Sequence, residues 1–229
     1  MRLSVLTDNS SLTDRYYLAE PGFSVLLEEG VRKVLFDLGY SDVFVRNAMK
    51  MGHSLLDLEY VVLSHGHLDH TWGLVHLVMA LTEAALEKRD FRRPTLVAHP
   101  DVFLTKQSGK VPESGALFSE EKCGEHFRLT LSRSPVWLSD DLVFLGEIPR
   151  RFGFELPEGG RRRKRGGTIE NDEMADDSAL VWRGRDGLVV ITGCSHAGIC
   201  NIVAYAREVC SEERVQDIIG GLHLMKAPE

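Results

Sequence analysis

Three histidines and an aspartate fall within six residues, His65-Gly66-His67-Leu68-Asp69-His70. The apolar run Tyr60-Val61-Val62-Leu63 leads into them, and Thr71-Trp72-Gly73-Leu74 follows. A short β-branched run bounded by a turn signal reads as a buried strand, so the imidazoles sit on the loop where a strand ends. Crowding them there brings no packing benefit. It suits metal binding, because neutral imidazole and carboxylate are ligands for zinc, manganese and iron. His65 and His67 can lean to one side of an extended turn. Asp69 and His70 come after the chain bends and can face a second ion. Two ions about 3.5–4 Å apart form a site that can share a bridging hydroxide.

Other elements must position these groups. Leu3–Leu6 reads as a first strand ending in the turn cluster Asp8-Asn9-Ser10-Ser11. Phe23–Leu27 and Lys33–Phe36 read as a hairpin around Glu29-Gly30, and Ser41 and Asp42 open a helix through Met51. Asp37 closes the second of those strands, where an acid can orient a ligand histidine or simply form the turn into the helix. Leu74–Leu86 has helical periodicity, and Thr95–Ala98 is a short strand. From Thr105 to Leu129 periodicity is lost. This stretch reads as a lid or a surface insertion at about 105–130, with Phe103, Leu117, Phe118 and Phe127 as an apolar underside suited to a ring-shaped substrate. Val136–Leu138 and Leu142–Leu145 are strands. The basic run Arg161–Arg165, flanked by glycines, reads as part of a mobile loop at about 157–175, or as a loop that catches phosphate.

A strand after Asp176-Asp177 pairs across the Asp186-Gly187 turn with Leu188–Thr192. That partner ends in Gly193-Cys194-Ser195-His196, ahead of an amphipathic helix over Ile199–Cys210. The last strand, Asp217–Leu224, carries His223 at its end. His196 and His223 thus both lie just past strands, where functional residues of α/β structures collect, and both are candidate ligands. Strands alternating with helices imply sheets covered by helices rather than a bundle.

Length and composition set limits. The chain has 229 residues, enough for one large domain with a buried core, and the whole of 1–229 reads as a single domain. A net charge of −7 argues against nucleic acid as a partner. No apolar run approaches the length of a membrane span, and the start is too weakly apolar for a signal peptide. Cys123, Cys194, Cys200 and Cys210 show no paired spacing, so a cytoplasmic protein with reduced thiols is expected.

The HxHxDH loop resembles that of the metallo-β-lactamase superfamily. The resemblance extends in order through LTDN (Leu6–Asn9), VLFDLG (Val34–Gly39), SHGHLDHTWGL (Ser64–Leu74), GEIPR (Gly146–Arg150), DDSALV (Asp176–Val181), ITGCSHAGICNIV (Ile191–Val203) and IGGLHL (Ile219–Leu224). Together these are similar to the dihydropterin synthase-like branch, the pterin–ribofuranosylaminobenzene phosphate synthases of methanopterin biosynthesis. The resemblance implies an α/β fold, a four-layer αββα sandwich with metals at one edge between two sheets. It implies His65, His67, Asp69 and His70 as ligands, with Asp69 and His70 central to catalysis and His196 and His223 completing two sites. Where relatives elsewhere in the superfamily carry a bridging aspartate, this chain has Cys194, whose thiolate could ligate zinc or lie just behind the ligands; His196 ranks above it.

The branch implies two divalent ions, zinc first, with manganese or iron as alternatives, and a small phosphorylated substrate. The implied reaction is transfer of a pterinylmethyl group from its diphosphate with loss of pyrophosphate, Arg150 and Arg161–Arg165 gripping phosphate oxygens. Hydrolysis of a phosphoester or related bond is the alternative. Members of the branch continue past the GGxHL strand with a helix and a closing strand. The chain here stops at Glu229, which keeps open a non-catalytic metal-binding protein or a ligand supplied by a partner chain. A homo-oligomer is a candidate partner arrangement.

Overall fold

In the computed structural model, residues 1–108, 110–155, 161–163 (backbone only) and 167–224 are described. The apolar runs are continuous because most central strands are buried on both faces. β1 (Arg2–Thr7), β2 (Ser24–Glu29) and β3 (Arg32–Phe36) form an antiparallel meander. α1 (Val43–Met51) then crosses over, ending on Gly52 in the left-handed region at φ 77°, which a side chain would strain. β4 (Tyr60–Val62) pairs parallel to β3. The short α2 (Leu68–Thr71) and the longer α3 (Leu74–Leu86) lead to β5 (Thr95–Ala98), parallel to β4.

Next come β6 (Lys106–Gln107), α4 (Glu120–His126) and β7 (Arg128–Leu131), which completes a six-stranded sheet in the order β1-β2-β3-β4-β5-β7. The excursion expected at about 105–130 is therefore regular structure in its second half. Ser119 caps α4 by accepting the Lys122 N–H at 3.1 Å, the side-chain oxygen satisfying a donor the helix leaves open.

β8 (Val136–Trp137) and β9 (Leu142–Phe144) begin the second sheet. β10 (Arg161–Arg163) and β11 (Ile169–Asn171) pair with each other and, through β10, with β6 in a small third sheet. The first three residues of the basic run are thus a strand. Their side chains, and Lys164 and Arg165, lie outside the described residues, as do 156–160 in the expected mobile loop. β12 (Ala179–Gly184), β13 (Gly187–Thr192), α5 (Ile199–Cys210) and β14 (Val215–Gly220) complete the second sheet, order β14-β13-β12-β9-β8.

The period-2 alternation of strand side chains sorts the core into three slabs. On β2 and β3, Val25, Leu27, Val34 and Phe36 meet Phe144, Leu180 and Ile191 between the sheets. Leu26 and Leu35 point the other way, onto Phe44 of α1 and Leu74, Leu77 and Leu81 of α3. Val143, Val181 and Val190 of the second sheet pack on Ile202 and Ala206 of α5. Helix, sheet, sheet, helix is the four-layer αββα sandwich. Phe127, expected on the underside of a lid, is buried in the outer slab with Phe103 and Phe118 against it, while Leu117 is exposed. Those rings are core packing.

Candidate metal centre

The loops after β3, β4, β13 and β14 meet at one edge of the sandwich. Asp37, one residue past β3, sits at φ 53°, a region aspartate tolerates better than most residues. It is fully buried. Its Oδ1 accepts the Ser64 N–H at 2.7 Å, and its Oδ2 accepts the Ser64 hydroxyl at 2.6 Å. The same Oδ2 lies 2.7 Å from His70 Nδ1, which holds a proton on Nδ1 and aims Nε2 at the opposite side of the site. His70 Nε2 faces Cys194 Sγ at 3.2 Å and Asp69 Oδ2 at 3.7 Å. Ser64, its proton given to Asp37, accepts from His65 Nδ1 at 2.8 Å, so His65 Nε2 is free and lies 3.1 Å from His67 Nδ1.

Two overlapping groups result. The ligand atoms of His65, His67 and His196 lie within 4.8 Å of one another, and so do those of His65, His70 and Cys194. His196 is 7% exposed, and both of its ring nitrogens are buried without a hydrogen-bond partner. A buried imidazole orphaned at both nitrogens is costly unless something binds it, and a divalent cation fits this donor set. His223 lies three residues beyond β14, exposed, its ring 4.5 Å from that of His196. The strand expected to run through it stops at Gly220; His223 instead stands on the outer side of His196, in neither group.

Electrostatics separate the candidate ligands. Burial, then the neighbouring imidazoles, holds His65 well below its ordinary pKa. Burial and the charge of Lys106 bring His67 down to about 4, and burial with His67 and His223 nearby brings His196 down to about 2. His70 goes the other way: burial opposes its proton, but Cys194 and Asp37 outweigh it and hold the pKa well above the ordinary value. The mouth beside His70 is a cleft of about 250 Å³ lined by Phe23, Asp69, His70, Gly193 and Cys194 among others.

Charged residues that sequence reasoning left without a role also converge here. Asp177 is fully buried, accepts the Ala197 N–H at 2.7 Å, and points its unpartnered Oδ1 to 3.8 Å from His65 Nδ1. Burial raises its pKa to about 7. Lys106 lies between Asp172 and Asp176. Their signal in the sequence was the Asp176-Asp177 pair that opens the DDSALV stretch, to which no role was attached. Arg150 donates to the carbonyl oxygens of His196, Glu173 and Met174, bracing the backbone around His196.

Residues 18–158 match the family model of the metallo-β-lactamase superfamily. The chain belongs to the metallo-β-lactamase superfamily. Among curated proteins it is 29% identical, over 92% of its length and 73% of the relative's, to 7,8-dihydropterin-6-methyl-4-(β-D-ribofuranosyl)-aminobenzene-5′-phosphate synthase of Methanocaldococcus jannaschii. It is also 29% identical to the uncharacterised protein MJ0448 of the same organism, over 97% of this chain and 79% of that one. Among solved structures, Tm1679, described as a metal-dependent hydrolase of the β-lactamase superfamily, superposes with a TM-score of 0.80 at 32% identity, covering 99% of this chain and 78% of the other. Membership of this metallo-β-lactamase superfamily implies divalent metal binding and places the chain in a family of metal-dependent enzymes, and the two His/Cys groups provide ligands for it. Among the described residues no helix is long and apolar enough to cross a membrane.

Proposed function

We propose that this chain is a metal-dependent transferase that moves a pterinylmethyl group from its diphosphate to an aminoaryl ribose phosphate, releasing pyrophosphate. The observation that carries the reading is the pair of ligand groups sharing His65, beside a likeness to the synthase that runs over most of the chain. His65, His67 and His196, with His223 beside His196, would hold one ion; Asp69, His70 and Cys194 would hold a second, zinc in both cases. Such ions neutralise a leaving diphosphate as Lewis acids. Asp37 keeps His70 in the tautomer that presents Nε2, and Asp69 brings negative charge to the cleft. No lysine or arginine is among the described residues lining that cleft, so little but the ions offsets a diphosphate there. Four unpaired cysteines fit a reducing, cytoplasmic setting.

One observation favours hydrolysis as a second reading. Arg150, expected to grip phosphate, donates to three backbone carbonyls. With water as acceptor, no second phosphorylated molecule need be held, and Tm1679 is described as a hydrolase. The test is to incubate the zinc-loaded chain with pterinylmethyl diphosphate, with and without the aminoaryl ribose phosphate, and weigh the products. Condensed product that requires the acceptor supports transfer. Release of diphosphate or phosphate without acceptor means hydrolysis, and no turnover of either kind, with metal bound, means a binding protein.

A further inference from the structure

Lys106 is 2% exposed, and it lies below the metal loop rather than in the cleft. Its Nζ is 2.8 Å from Asp172 Oδ2 and 2.8 Å from Asp176 Oδ1. Asp176 uses its other oxygen, Oδ2, to accept the N–H of Gly66 at 2.8 Å. Gly66 is the residue between His65 and His67. A Cβ there would strike the Val102 carbonyl and come within 3.0 Å of Lys106 Cε, so the loop backbone rests directly on the lysine stem. The backbone of Lys106 is held too: its carbonyl accepts the Ser114 N–H at 2.8 Å, and Ser114 in turn accepts the Leu68 N–H at 2.9 Å, at the start of α2. Two segments far apart in sequence, β6 and the stretch Asp172–Asp176, therefore meet at one ammonium, and Asp176 joins them to the histidine loop.

We infer that Lys106 and Asp176 are positioning residues for the metal centre: the buried Lys106–Asp176–Gly66 chain sets where His65 and His67 present their nitrogens. The reason is electrostatic as well as steric. Two buried carboxylates sharing a site repel each other, and one of them would give up its charge or move without the cation between them. Asp176 is the member joined to the metal loop, so its displacement releases the Gly66 N–H. Asp172 touches the same ammonium, and its Oδ1 accepts the Met174 N–H at 2.9 Å, within its own segment. The two aspartates thus have like burial and like partners, and differ in whether they hold the ligand loop.

This inference rests on the metal-dependent reading, and the experiment separates the two. Cobalt(II) affinity is measured by chelator competition, with the absorption spectrum of the bound ion, on the full chain and on Asp176→Asn, Asp172→Asn and Lys106→Met. The unsubstituted chain must bind cobalt; if it does not, the metal-dependent reading fails. Given binding, Asp176→Asn is expected to weaken it about 10–100-fold, the usual range for outer partners of metal ligands, and to shift the cobalt bands. Asp172→Asn should stay within about threefold with an unchanged spectrum, by the same reasoning. Lys106→Met should resemble Asp176→Asn. Equal effects of the two aspartate substitutions, or an unaltered affinity and spectrum in Asp176→Asn, would overturn the inference. That comparison decides the matter even where Lys106→Met does not fold.

Discussion

His65, His67 and His196 meet as three imidazoles, while His70 lies between Asp37 and Cys194 with Asp69 beside it. The first cluster is made neutral by burial; its histidines lose their protons well before physiological pH. In the second, Cys194 and Asp37 hold a proton on His70 against the cost of burying it. One half of the centre offers lone pairs already free. The other offers negative charge, and a cation entering there displaces a proton. Two ions held in this way would have unlike affinities, with different sensitivities to acid and to mutation.

The sharpest way to break this comparison is Asp69→Ala. It removes a carboxylate from the charged half only, so about one ion per chain and essentially all turnover should disappear, while the imidazole half keeps its ion. Elemental analysis that finds full metal retention in this variant would sink the two-ion arrangement. Cys194→Ser comes next. A hydroxyl is a poor zinc ligand at neutral pH, so metal should again leave the charged half; unchanged metal content would mean that the thiol only packs behind His196. Asp37→Asn touches no ion directly and still presents an oxygen to Ser64. It should keep both metals but bind the one at His70 about 10–100-fold more weakly, read by chelator titration.

The smallest effect is that of pH. A ligand imidazole must be neutral, so a proton competes only below its pKa in the metal-free protein. For His70, whose pKa is raised well above its ordinary value, competition begins at much the higher pH; for His67, lowered to about 4, it begins only near pH 4. Dialysis at falling pH should therefore release the ion at His70 first, with the imidazole half still loaded near pH 5. Simultaneous release would show that the halves are not electrostatically distinct.

Much of the sandwich was legible because two-sided burial writes itself as apolar runs: Thr95–Ala98, Leu74–Leu86 and Ile199–Cys210 start and end where the sequence places them. The histidine loop stood out for the opposite reason, since three imidazoles beside a strand have no packing purpose. What escaped was local structure dictated by distant partners. β7 reads Arg-Leu-Thr-Leu and has little strand character alone; pairing with β5 makes it a strand. The seven-residue α4, with Gly124 inside it, is too short for periodicity to register. Lys106, Asp172 and Asp176 look like solvated charges in sequence, and only the fold reveals that they are buried together. His196 could be proposed from its place after β13, whereas its isolation from any hydrogen-bond partner could not.

The division of the candidate ligands between sheets has a further consequence. His65, His67, Asp69 and His70 follow a strand of the first sheet; Cys194, His196 and His223 follow strands of the second. Between the sheets, among the described residues, lie mainly packed apolar side chains, with a few hydrogen bonds such as Trp182 to Glu29 and Ser178 to Ser64. A cation coordinated from both sides would be a rivet through the sandwich, bound in the native state and lost with it. Heat resistance then becomes a property of the surrounding solution: each tenfold rise in free metal above its dissociation constant adds about 1.4 kcal/mol to the native state. A chelator would lower the melting temperature without touching a single residue. Metal supply would decide how long the two sheets stay together.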